Sequence, residues 1–595
     1  MKRIIVLGAG YAGLEAAKTL HKRLKKQDDI EIILIDQNDH HTLLTTIHEV
    51  AGDRVDEGGV KVSIDHVLEY TKVKFIQDKI TRADLENKRL FSKDKIYDFD
   101  YLILGIGSEP AFFDIPGLEE NAFTLWSLDD AKKLNSHIRA SFKQASEEEN
   151  EEIRKKLLTF VVGGGGYTGI ETMGELIQWT KTLCKEYGLD RKEVRLVVAE
   201  ALPSILTTLS EKSAKKATRY LQRKGVEVLT GSAITEVNGQ QIMLDGGKAI
   251  NTNTLIWTGG IRTNSLAKEL GLSLGRKNQI VVNQYCQTVE YPYVYAVGDN
   301  MEFINEEGKA LPALVETAIQ SGRMAAKNIS SQILGKEKKK LEANLHGTMV
   351  SIGSLYGVAE LKRMPRLSGI FAIIIKHLVN MHYLYTIGGI ELCWDYLKHQ
   401  LFETKRNYGF VIQSAISHAR ERSFRFWLVP LRLYLGYKWF MSAKVKIDDN
   451  WWSNVVLGDS AVSGASPDAA SGATGLIPLV GENTPGWYES FVEKVVYPNS
   501  LFFQRMIVLG ELVLGILFII GMFTFLAGIA SILLNINFML STGINDWWFI
   551  WASFAMFAGA GRVLGVDHYL MPWLRNQLRN FQRNRKISLF KGWQW

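Results

Sequence analysis

The strongest hydrophobic pattern in the chain lies in its first 36 residues. Residues 4–7 form an apolar run, residues 14–24 form a helical stretch, and residues 31–35 form a second apolar run that ends in Asp36. A glycine-rich turn separates the first run from the helix. Short apolar runs on both sides of a helix predict parallel strands. Strand, glycine turn, helix, strand and acid together predict a dinucleotide-binding βαβ unit.

The glycines of this turn have the spacing of a dinucleotide fingerprint. Gly8 permits the tight turn, Gly10 lets the backbone approach a pyrophosphate, and Gly13 allows the helix to pack closely on the strand. Asp36 is placed to accept hydrogen bonds from ribose hydroxyls, which disfavours a 2′-phosphate at this position. The alternative interpretation is a glycine-rich turn that binds no nucleotide.

A second unit of the same kind follows. Residues 158–162 predict a strand, residues 170–183 a helix, and residues 194–200 a strand that ends in Glu200. The carboxylate of Glu200 favours NADH over NADPH, because it repels the 2′-phosphate. Two such units predict two nucleotides. The glycines at fingerprint spacing are Gly164, Gly166 and Gly169.

Two further predicted strands end in glycines. Residues 97–104 lead to Gly107, which we interpret as a second close approach to the first cofactor. Residues 293–297 lead to Gly298 and Asp299. The histidine-rich run at residues 39–42 raises a metal site as an alternative, but no cysteine or further acid at ligand spacing supports one. We therefore expect no metal.

The C-terminal part of the chain differs from the rest. Four apolar stretches, at residues 426–445, 506–522, 523–540 and 547–566, approach the length needed to cross a bilayer. Apolar residues 370–387, followed by Trp394, suit helices that lie in the membrane interface. With 595 residues the chain is too long for one core. We expect a protein that is part soluble and part membrane-embedded.

Charge and cysteine usage set the expected topology. The three cysteines show no paired spacing, and no secretory signal precedes the first strand, so we expect the soluble part in the cytosol. Basic residues before the first apolar stretch and after the last place both ends inside, and the loop 446–504 outside. We expect no nucleic-acid partner. These basic residues are Arg420, Arg422, Arg425, Arg575, Arg579, Arg583, Arg585 and Lys586.

The order of these motifs resembles the flavoprotein reductases with two dinucleotide-binding domains. The first fingerprint, the second fingerprint inserted after it, and the late strand 293–299 carry the resemblance. It implies that FAD binds the first unit and NADH the second. It also implies that Asp299 hydrogen-bonds the ribityl chain of FAD. A helix that begins near Pro312 is expected to point its N-terminus at the isoalloxazine ring.

Within that superfamily, residues 311–322 resemble the quinone-site helix of type II NADH:quinone dehydrogenases, whose usual pattern is AQxAxQQ. This chain departs from the pattern with Glu316 and Ser321, while Gln320 matches it. The resemblance implies an FAD-dependent NADH:quinone oxidoreductase with Glu316, Gln320 and Glu171 as catalytic candidates. A solvated helix acid is the alternative for Glu316. For Glu171 the alternative is a favourable interaction with the helix dipole.

The resemblance covers residues 1–401 and gives a domain scheme. The expected fold is α/β, with two Rossmann-like domains, interfacial helices and a C-terminal four-helix transmembrane domain that resembles the DoxX type around residues 431–437. The predicted segments are an FAD domain at 1–120 and 266–330, an NADH domain at 121–265, a membrane-interface, quinone-side region at 331–401, a basic linker at 402–425 and the transmembrane domain at 426–595.

This combination resembles the dehydrogenase of flavin-based extracellular electron transfer in Gram-positive bacteria. Residues 468–474 of the outer loop resemble the DxxSGAT acceptor motif of flavin transferases, which implies covalent FMN on Thr474. A chance match in a Ser/Gly/Ala linker is the alternative. The implied partners are menaquinone or demethylmenaquinone, membrane lipid, a flavin transferase and an extracytoplasmic electron acceptor, and a homodimer stays open. The alternative function is a membrane redox sensor or assembly protein that binds FAD and NADH without turnover.

Overall fold

A computed structural model gives the fold of the chain. It describes residues 1–402 apart from 307 and 363, and then residues 428–458, 478–480, 484–542, 546–562, 565–571, 573, 574 and 577. The chain divides into two compact units, one on each side of the gap at 403–427. Three predicted features lie outside the described residues: the arginines of the basic linker, the basic tail from Arg575, and Thr474 with its motif.

The elements have the following bounds. In chain order the strands are β1 (Lys2–Leu7), β2 (Ile30–Asp36), β3 (His40–Thr42), β4 (Lys61–Ser63), β5 (Val73–Gln77), β6 (Ile80–Asp84), β7 (Arg89–Ser92), β8 (Ile96–Asp98), β9 (Tyr101–Leu104), β10 (Ser108–Pro110), β11 (Ala122–Thr124), β12 (Thr159–Gly163), β13 (Arg195–Glu200), β14 (Val226–Thr230), β15 (Ile234–Asn238), β16 (Gln241–Leu244), β17 (Ala249–Asn251), β18 (Thr254–Trp257), β19 (Ile261–Thr263), β20 (Ile280–Val281), β21 (Val294–Ala296), β22 (Met301–Glu302), β23 (Gly347–Ser351), β24 (Gly357–Leu361) and β25 (Leu367–Ser368). The helices are α1 (Tyr11–Leu24), α2 (Ile47–Ala51), α3 (Ile64–Leu68), α4 (Leu118–Asn121), α5 (Leu128–Glu147), α6 (Glu151–Leu157), α7 (Tyr167–Tyr187), α8 (Glu211–Arg223), α9 (Val315–Ile333), α10 (Ile370–Gly388), α11 (Ile390–Leu397), α12 (Leu428–Asp448), α13 (Gly486–Phe491), α14 (Ser500–Ile520), α15 (Thr524–Thr542) and α16 (Trp547–Ala555).

The first domain is built on a five-stranded parallel sheet with the order β21-β9-β1-β2-β5. Its central strand β1 is apolar and buried because helices cover the sheet, and Val6 lies opposite Leu34 on one side and Ile103 on the other. Helices α1 and α9 pack closely where a side chain at Gly322 would collide with the carbonyl of Ala12.

The second domain repeats this architecture. Its parallel sheet has the order β11-β18-β12-β13-β14, and α7 follows the central strand β12 as α1 follows β1. In both sheets the glycine turns come after the central strand, and so lie at the carboxyl edge. In open parallel sheets this edge is where ligands bind.

A three-stranded antiparallel sheet, β23-β24-β25, precedes two helices, α10 and α11. Strand β23 contacts α7 of the second domain, and α10 packs on β23 and β24. Lys18 of α1 donates to the carbonyls of Thr386 (2.7 Å) and Ile387 (2.5 Å) and so caps the last turn of α10. The sheet and α10 therefore contact both nucleotide domains.

The C-terminal unit is helical. Its helices α12 and α14 lie so close together that a side chain at Gly436 or Gly515 would collide with the backbone of the other helix. Glycine at these positions permits the close packing. Among the described residues, three helical stretches are long and apolar enough to cross a membrane: Ile370–Gly388, Gly486–Ile520 and Thr524–Ser541. The first of them is α10, for which the sequence predicted an interfacial position. Helix α12 carries several basic residues and is absent from this set.

Two predicted boundaries differ from the structure. The helix expected from Pro312 begins at Val315, since Leu314 has extended backbone dihedral angles and caps the helix. The sequence also predicts one charge-rich helix from Ser141 to Lys156, but the structure has two helices there. Helix α5 ends at Glu147, and Asn150 caps α6 by accepting from the N–H groups of Glu152 and Ile153.

Candidate functional site

The first glycine turn has the backbone geometry that a pyrophosphate requires. Gly8 has a φ of 101°, and a side chain there would collide with the carbonyl of Gly105. A side chain at Gly13 would collide with the carbonyl of Gly8. In contrast, a Cβ at Gly10 would meet no atom within 4 Å, so this face of the turn opens to free space at the N-terminus of α1. The residues fit a bound dinucleotide.

Asp36 is fixed beside this turn by two backbone donors. Its Oδ2 accepts from the N–H of Ala9 at 2.6 Å, and its Oδ1 accepts from the N–H of Asn38 at 2.8 Å. Each carboxylate oxygen can accept a second hydrogen bond, so Asp36 could still accept the predicted hydrogen bond from a ribose hydroxyl. The observed bonds add a second role, because Asp36 also holds the turn in shape.

The second glycine turn reproduces this arrangement. Gly164 has a φ of 109°, a side chain at Gly169 would collide with Gly164, and a Cβ at Gly166 would meet nothing within 4 Å. The Oε2 of Glu200 accepts from the N–H of Gly165 at 2.5 Å, and its Oε1 accepts from Leu202 at 2.7 Å. The chain therefore contains two glycine turns of matching geometry, each with a carboxylate fixed beside it.

Asp299 lies at the carboxyl edge of the first sheet. Burial raises its pKa, and Ser108 Oγ donates to its Oδ2 at 3.1 Å. The preceding Gly298 has a φ of 70° and donates its N–H to Ser321 Oγ at 3.0 Å. Ser321 is fully buried, so the serine that replaces the usual glutamine ties α9 to this strand end.

A cleft of about 290 Å³ adjoins Asp299 and holds both acidic and basic side chains. Its charged lining residues are Arg262, Arg276, Lys277, Asp299 and Glu302. Gly107, with a φ of 70° and open space at its Cβ position, lies at the end of the neighbouring strand β9. The carboxyl ends of the neighbouring strands β21, β9 and β1 thus lie together where the sequence predicts the first cofactor.

Glu316 and Gln320 share one face of α9, as their spacing predicts. Glu316 accepts from the N–H of His346 at 2.9 Å and also pairs with its Nδ1. Gln320 exchanges two hydrogen bonds with Asn344, one at 2.8 Å and one at 2.9 Å. Both side chains therefore hold the segment that leads into β23 against the start of α9.

Glu171 lies in the second turn of α7 and faces β23. Its Oε1 accepts from Ser351 Oγ at 2.8 Å and from the N–H of Ser351 at 3.2 Å. Lys376 Nζ of α10 is 3.9 Å from Oε1 and donates to Ser351 Oγ at 2.8 Å. Burial raises the pKa of Glu171, and Lys376 opposes this shift. The carboxyl group is therefore placed in contact with β23 and α10, the elements after the two nucleotide domains.

A buried charge cluster extends from Glu171, and the sequence did not predict it. Glu49 lies at its centre and accepts from Lys376 Nζ at 3.0 Å and from Gln400 Nε2 at 2.6 Å, while Arg54 Nη2 approaches the same carboxylate at 2.6 Å. Burial alone would raise the pKa of Glu49, but Arg54 and Lys376 hold it below its usual range. The attraction between these paired charges offsets the free-energy cost of removing them from water.

His48 joins this cluster to Glu171. Lys376 Nζ donates to its Nε2 at 3.2 Å, which leaves Nδ1 to carry the ring proton, and Nδ1 lies 3.6 Å from Glu171 Oε2. Burial, with Lys376 beside the ring, lowers the pKa of His48 well below its usual range. The one signal in the sequence was Lys376 itself, a charge in the middle of an apolar stretch.

His41, which the sequence raised only as a metal alternative, links the first turn to α10. Its Nδ1 donates to the carbonyl of Ala9 at 3.0 Å, and Tyr383 donates to its Nε2 at 3.0 Å. Its ring also lies edge-on to Tyr11. Burial lowers the pKa of His41 to about 4, so the ring is neutral near pH 7.

The comparisons with known proteins agree with this geometry. Residues 2–322 match the family model of the pyridine nucleotide-disulphide oxidoreductases. The chain is 33% identical over 401 residues to the type II NADH:quinone oxidoreductase of Staphylococcus aureus, which covers 66% of this chain and 98% of the relative. The chain belongs to the type II NADH:quinone oxidoreductases. Flavin and NADH binding follow from that membership.

Solved structures support the same fold. The structure of NDH2 from Plasmodium falciparum in complex with NADH has a TM-score of 0.61 at 17% identity and covers 67% of this type II oxidoreductase and 98% of its own chain. The sulfide:quinone oxidoreductase of Aquifex aeolicus has a TM-score of 0.54 at 15% identity, with 65% and 92% covered. Residues 427–591 match the model of the TQO small subunit DoxD. The oxidoreductase thus carries a membrane domain beyond the part it shares with these relatives.

Proposed function

We propose that the chain is an FAD-dependent NADH dehydrogenase that reduces menaquinone or demethylmenaquinone and supports electron transfer out of the cell. The matched pair of glycine turns supports the cofactor assignment, since each turn leaves one glycine open to space and fixes one carboxylate beside it. The turn after β1 holds FAD, and the turn after β12 holds NADH. The outward electron path depends on the sequence motif that ends in Thr474.

The residues of the two turns bind and orient the cofactors. When bound, the flavin accepts a hydride from NADH and passes two electrons to the quinone. Asp299 would hold the ribityl chain of FAD by accepting a hydrogen bond from it, and Ser108 orients this carboxyl group by donating to Oδ2. Glu200, fixed by Gly165 and Leu202, disfavours the 2′-phosphate of NADPH by charge repulsion.

Quinone reduction also consumes two protons, and Glu171 is the side chain we assign to hold one. Its raised pKa makes the protonated form accessible closer to neutral pH than for an exposed glutamate. Ser351 orients the carboxyl group, and Lys376 places a positive charge 3.9 Å from it. Glu316 and Gln320 fix the segment 344–346 that forms one wall of the quinone site.

Covalent FMN on Thr474 supplies the outward path in this proposal. When a flavin transferase acts on the loop, the hydroxyl of Thr474 attacks the flavin-side phosphate of FAD. The pyrophosphate bond breaks, FMN stays on Thr474 as a phosphate ester, and AMP leaves with the displaced phosphate. A loop rich in small residues suits this reaction, because the segment enters the transferase in extended form. The bound FMN then lies on the side of the membrane opposite to the nucleotide domains.

Flavin fluorescence on a denaturing gel tests this assignment. Full-length protein from a host that contains a flavin transferase should stay fluorescent after denaturation, because the FMN is covalent. Thr474→Val should abolish this fluorescence, whereas Ser466→Ala, in the same loop but outside the motif, should keep it. If the peptide that spans residues 468–474 carries no added FMN mass in that host, the assignment is wrong.

A further inference from the structure

The backbone of Ala9 in the first glycine turn is held from two sides. Its N–H donates to Asp36 Oδ2 at 2.6 Å, and its carbonyl accepts from His41 Nδ1 at 3.0 Å. Ala9 lies between Gly8 and Gly10, which lack a Cβ and therefore allow many backbone conformations unless other groups restrict them. The two hydrogen bonds thus fix the chain at the point where it enters α1.

The second glycine turn has the same two bonds at the equivalent residue. The N–H of Gly165 donates to Glu200 Oε2 at 2.5 Å, and its carbonyl accepts from the backbone N–H of Leu206 at 2.9 Å. The carbonyl that follows the first fingerprint glycine is therefore fixed in both turns, but by different donors. In the second turn the donor is the backbone shortly after β13, whereas in the first turn it is a side chain.

Helix α10 holds this side-chain donor in place. The Nδ1 proton of His41 is directed at Ala9, so the neutral ring accepts at Nε2, where the hydroxyl of Tyr383 donates at 3.0 Å. His41 is only 2% exposed, so water has little access to replace this donor. Two consecutive hydrogen bonds therefore connect α10 to the first glycine turn.

Aromatic packing and a second contact keep α10 against α1. The ring of Tyr11, at the start of α1, lies edge-on to His41 with 4.7 Å between ring centroids, and its centroid is 4.9 Å from that of Tyr383. Lys18, seven residues later and so on the same face of α1, donates to the carbonyls at the end of α10. Helix α10 therefore packs along one face of the helix whose N-terminus adjoins the turn.

We propose that His41 and Tyr383 are positioning residues for FAD, which fix the Ala9 carbonyl and so keep the first turn in the shape that receives the pyrophosphate. The inference rests on the assignment of FAD to this turn. A turn that is fixed before binding loses less conformational entropy when its ligand binds, so the two bonds strengthen FAD binding. Because Tyr383 belongs to α10, retention of FAD depends on a helix outside the two nucleotide domains.

Release of flavin from the purified full-length holoprotein tests this role. The release rate is followed by the fluorescence of free flavin after dilution in detergent. Tyr383→Phe removes only the hydroxyl, and His41→Phe removes the donor to Ala9, so each should release flavin at least about tenfold faster. With FAD in the assay, KM for NADH should stay at the parental value, because the second turn has its own donor at Leu206. A parallel rise in KM for NADH would indicate a general loss of structure and would overturn the positioning role.

Three further variants make the result specific. His41→Gln keeps a donor for the carbonyl of Ala9 and should restore slow release. The double variant His41→Phe/Tyr383→Phe should release flavin no faster than His41→Phe alone, because Tyr383 acts through His41. Tyr385→Phe is the control in the same helix, since the Tyr385 hydroxyl makes no hydrogen bond within the described part of the chain, and it should release flavin at the parental rate.

Gly10→Val is the reference, because it obstructs the same turn directly. If Gly10→Val lacks flavin while Tyr383→Phe and His41→Phe release it at the parental rate, the positioning role is wrong and the assignment of FAD to this turn stands. If Gly10→Val retains its flavin, that assignment is wrong, and the role of His41 and Tyr383 is overturned with it.

Discussion

Two glycines, Gly10 and Gly166, occupy equivalent positions in the two nucleotide domains. Each is the member of its turn whose Cβ would point into open space, while the glycines before and after it are required by the backbone itself. A side chain at either position therefore causes no collision within the protein. It would interfere only with a nucleotide bound at that turn. This makes the two positions a matched pair for testing which domain holds which nucleotide.

Gly10→Val should yield a folded, flavin-depleted protein, because the added methyl groups occupy the space through which the pyrophosphate approaches. Gly166→Val should keep normal flavin content and raise KM for NADH by about tenfold or more. The flavin-to-protein absorbance ratio and steady-state NADH oxidation measure the two effects. Loss of flavin in Gly166→Val instead would reverse the assignment of the domains.

Because His41 is buried and neutral, we expect the protein to lose stability as the pH falls below 6.5. The pKa of His41 is lowered from 6.5 to about 4 in the folded protein, so the unfolded chain binds the additional proton between these pH values. The contribution of His41 to the free energy of unfolding is present above pH 6.5. It is lost as the pH falls toward 4, by roughly 1.4 kcal/mol per pH unit at most. Unfolding temperatures should fall over this range.

A glutamine separates titration from hydrogen bonding at this site. His41→Gln keeps a donor for the carbonyl of Ala9 and an acceptor for Tyr383 but has no proton to gain. It should flatten the decline of the unfolding temperature between pH 6.5 and 4.5, measured by intrinsic fluorescence. His382→Gln, at an exposed position of α10, serves as the control and should follow the parent curve. Identical slopes for all three proteins would contradict this role of His41.

At the scale of elements, the antiparallel sheet β23-β24-β25 and helix α10 contact both nucleotide domains. Ser351 of β23 bonds Glu171 of α7, while Lys376 of α10 bonds Glu49 of α2. Lys18 of α1, also in the first domain, caps the end of α10. Because buried charges pair across these elements, the sheet and α10 are part of the core of the nucleotide domains.

The contacts between α9 and the segment before β23 give a prediction at this scale. Glu316→Gln removes the charge that pairs with His346 but keeps an oxygen for the N–H of His346. Flavin content should stay normal, because the bond between Ser321 and Gly298 is untouched, while KM for the quinone should rise several-fold.

The comparison is between flavin absorbance and quinone titrations at saturating NADH. His346→Gln should show a similar rise in KM, and the double variant should add little, because both changes remove one interaction. Lys340→Met, which breaks only an exposed pair with Glu306, is the control. If Glu316→Gln loses its flavin, α9 serves the cofactor and not the quinone side.

The sequence was sufficient to predict those parts of the fold that depend on local backbone conformation. Gly8, Gly164 and their neighbours give the turns because glycine alone tolerates those backbone angles, and the apolar runs of β1 and β12 give the parallel sheets. The spacing of Glu316 and Gln320 correctly placed them on one face. These features are local, so a single sequence contains the information.

The charge cluster was not predictable for the opposite reason. His48 and Lys376 are 328 residues apart along the chain, and their contact depends on how β23 and α10 fold back on the nucleotide domains. Asp36 was predicted to contact a ribose and Glu200 to repel a 2′-phosphate, and the structure adds the hydrogen bonds of both side chains to the turns themselves. Such long-range or dual roles depend on tertiary packing, which composition and periodicity do not encode.

At the scale of the whole molecule, the protein joins a part that matches nearly the whole length of a type II oxidoreductase to a C-terminal DoxD-type membrane domain. The match to the S. aureus relative covers 98% of that relative and 66% of this chain, and the DoxD match begins at residue 427. The reductase and the membrane domain are therefore separate units in sequence as well as in structure. A change confined to the loop that carries Thr474 should leave NADH oxidation intact and affect only the later transfer of the electrons.

Thr474→Val provides this separation in living cells. Membranes that contain the variant should reduce menaquinone with NADH at the parental rate, since Thr474 lies outside the nucleotide domains. Reduction of an extracellular, membrane-impermeant ferric complex should fall to the rate of cells that lack the protein, because the proposed FMN is missing. Ser466→Ala should support both reactions. If the variant still reduces the ferric complex at the parental rate, the electrons leave the membrane by another carrier and the loop has no part in their transfer.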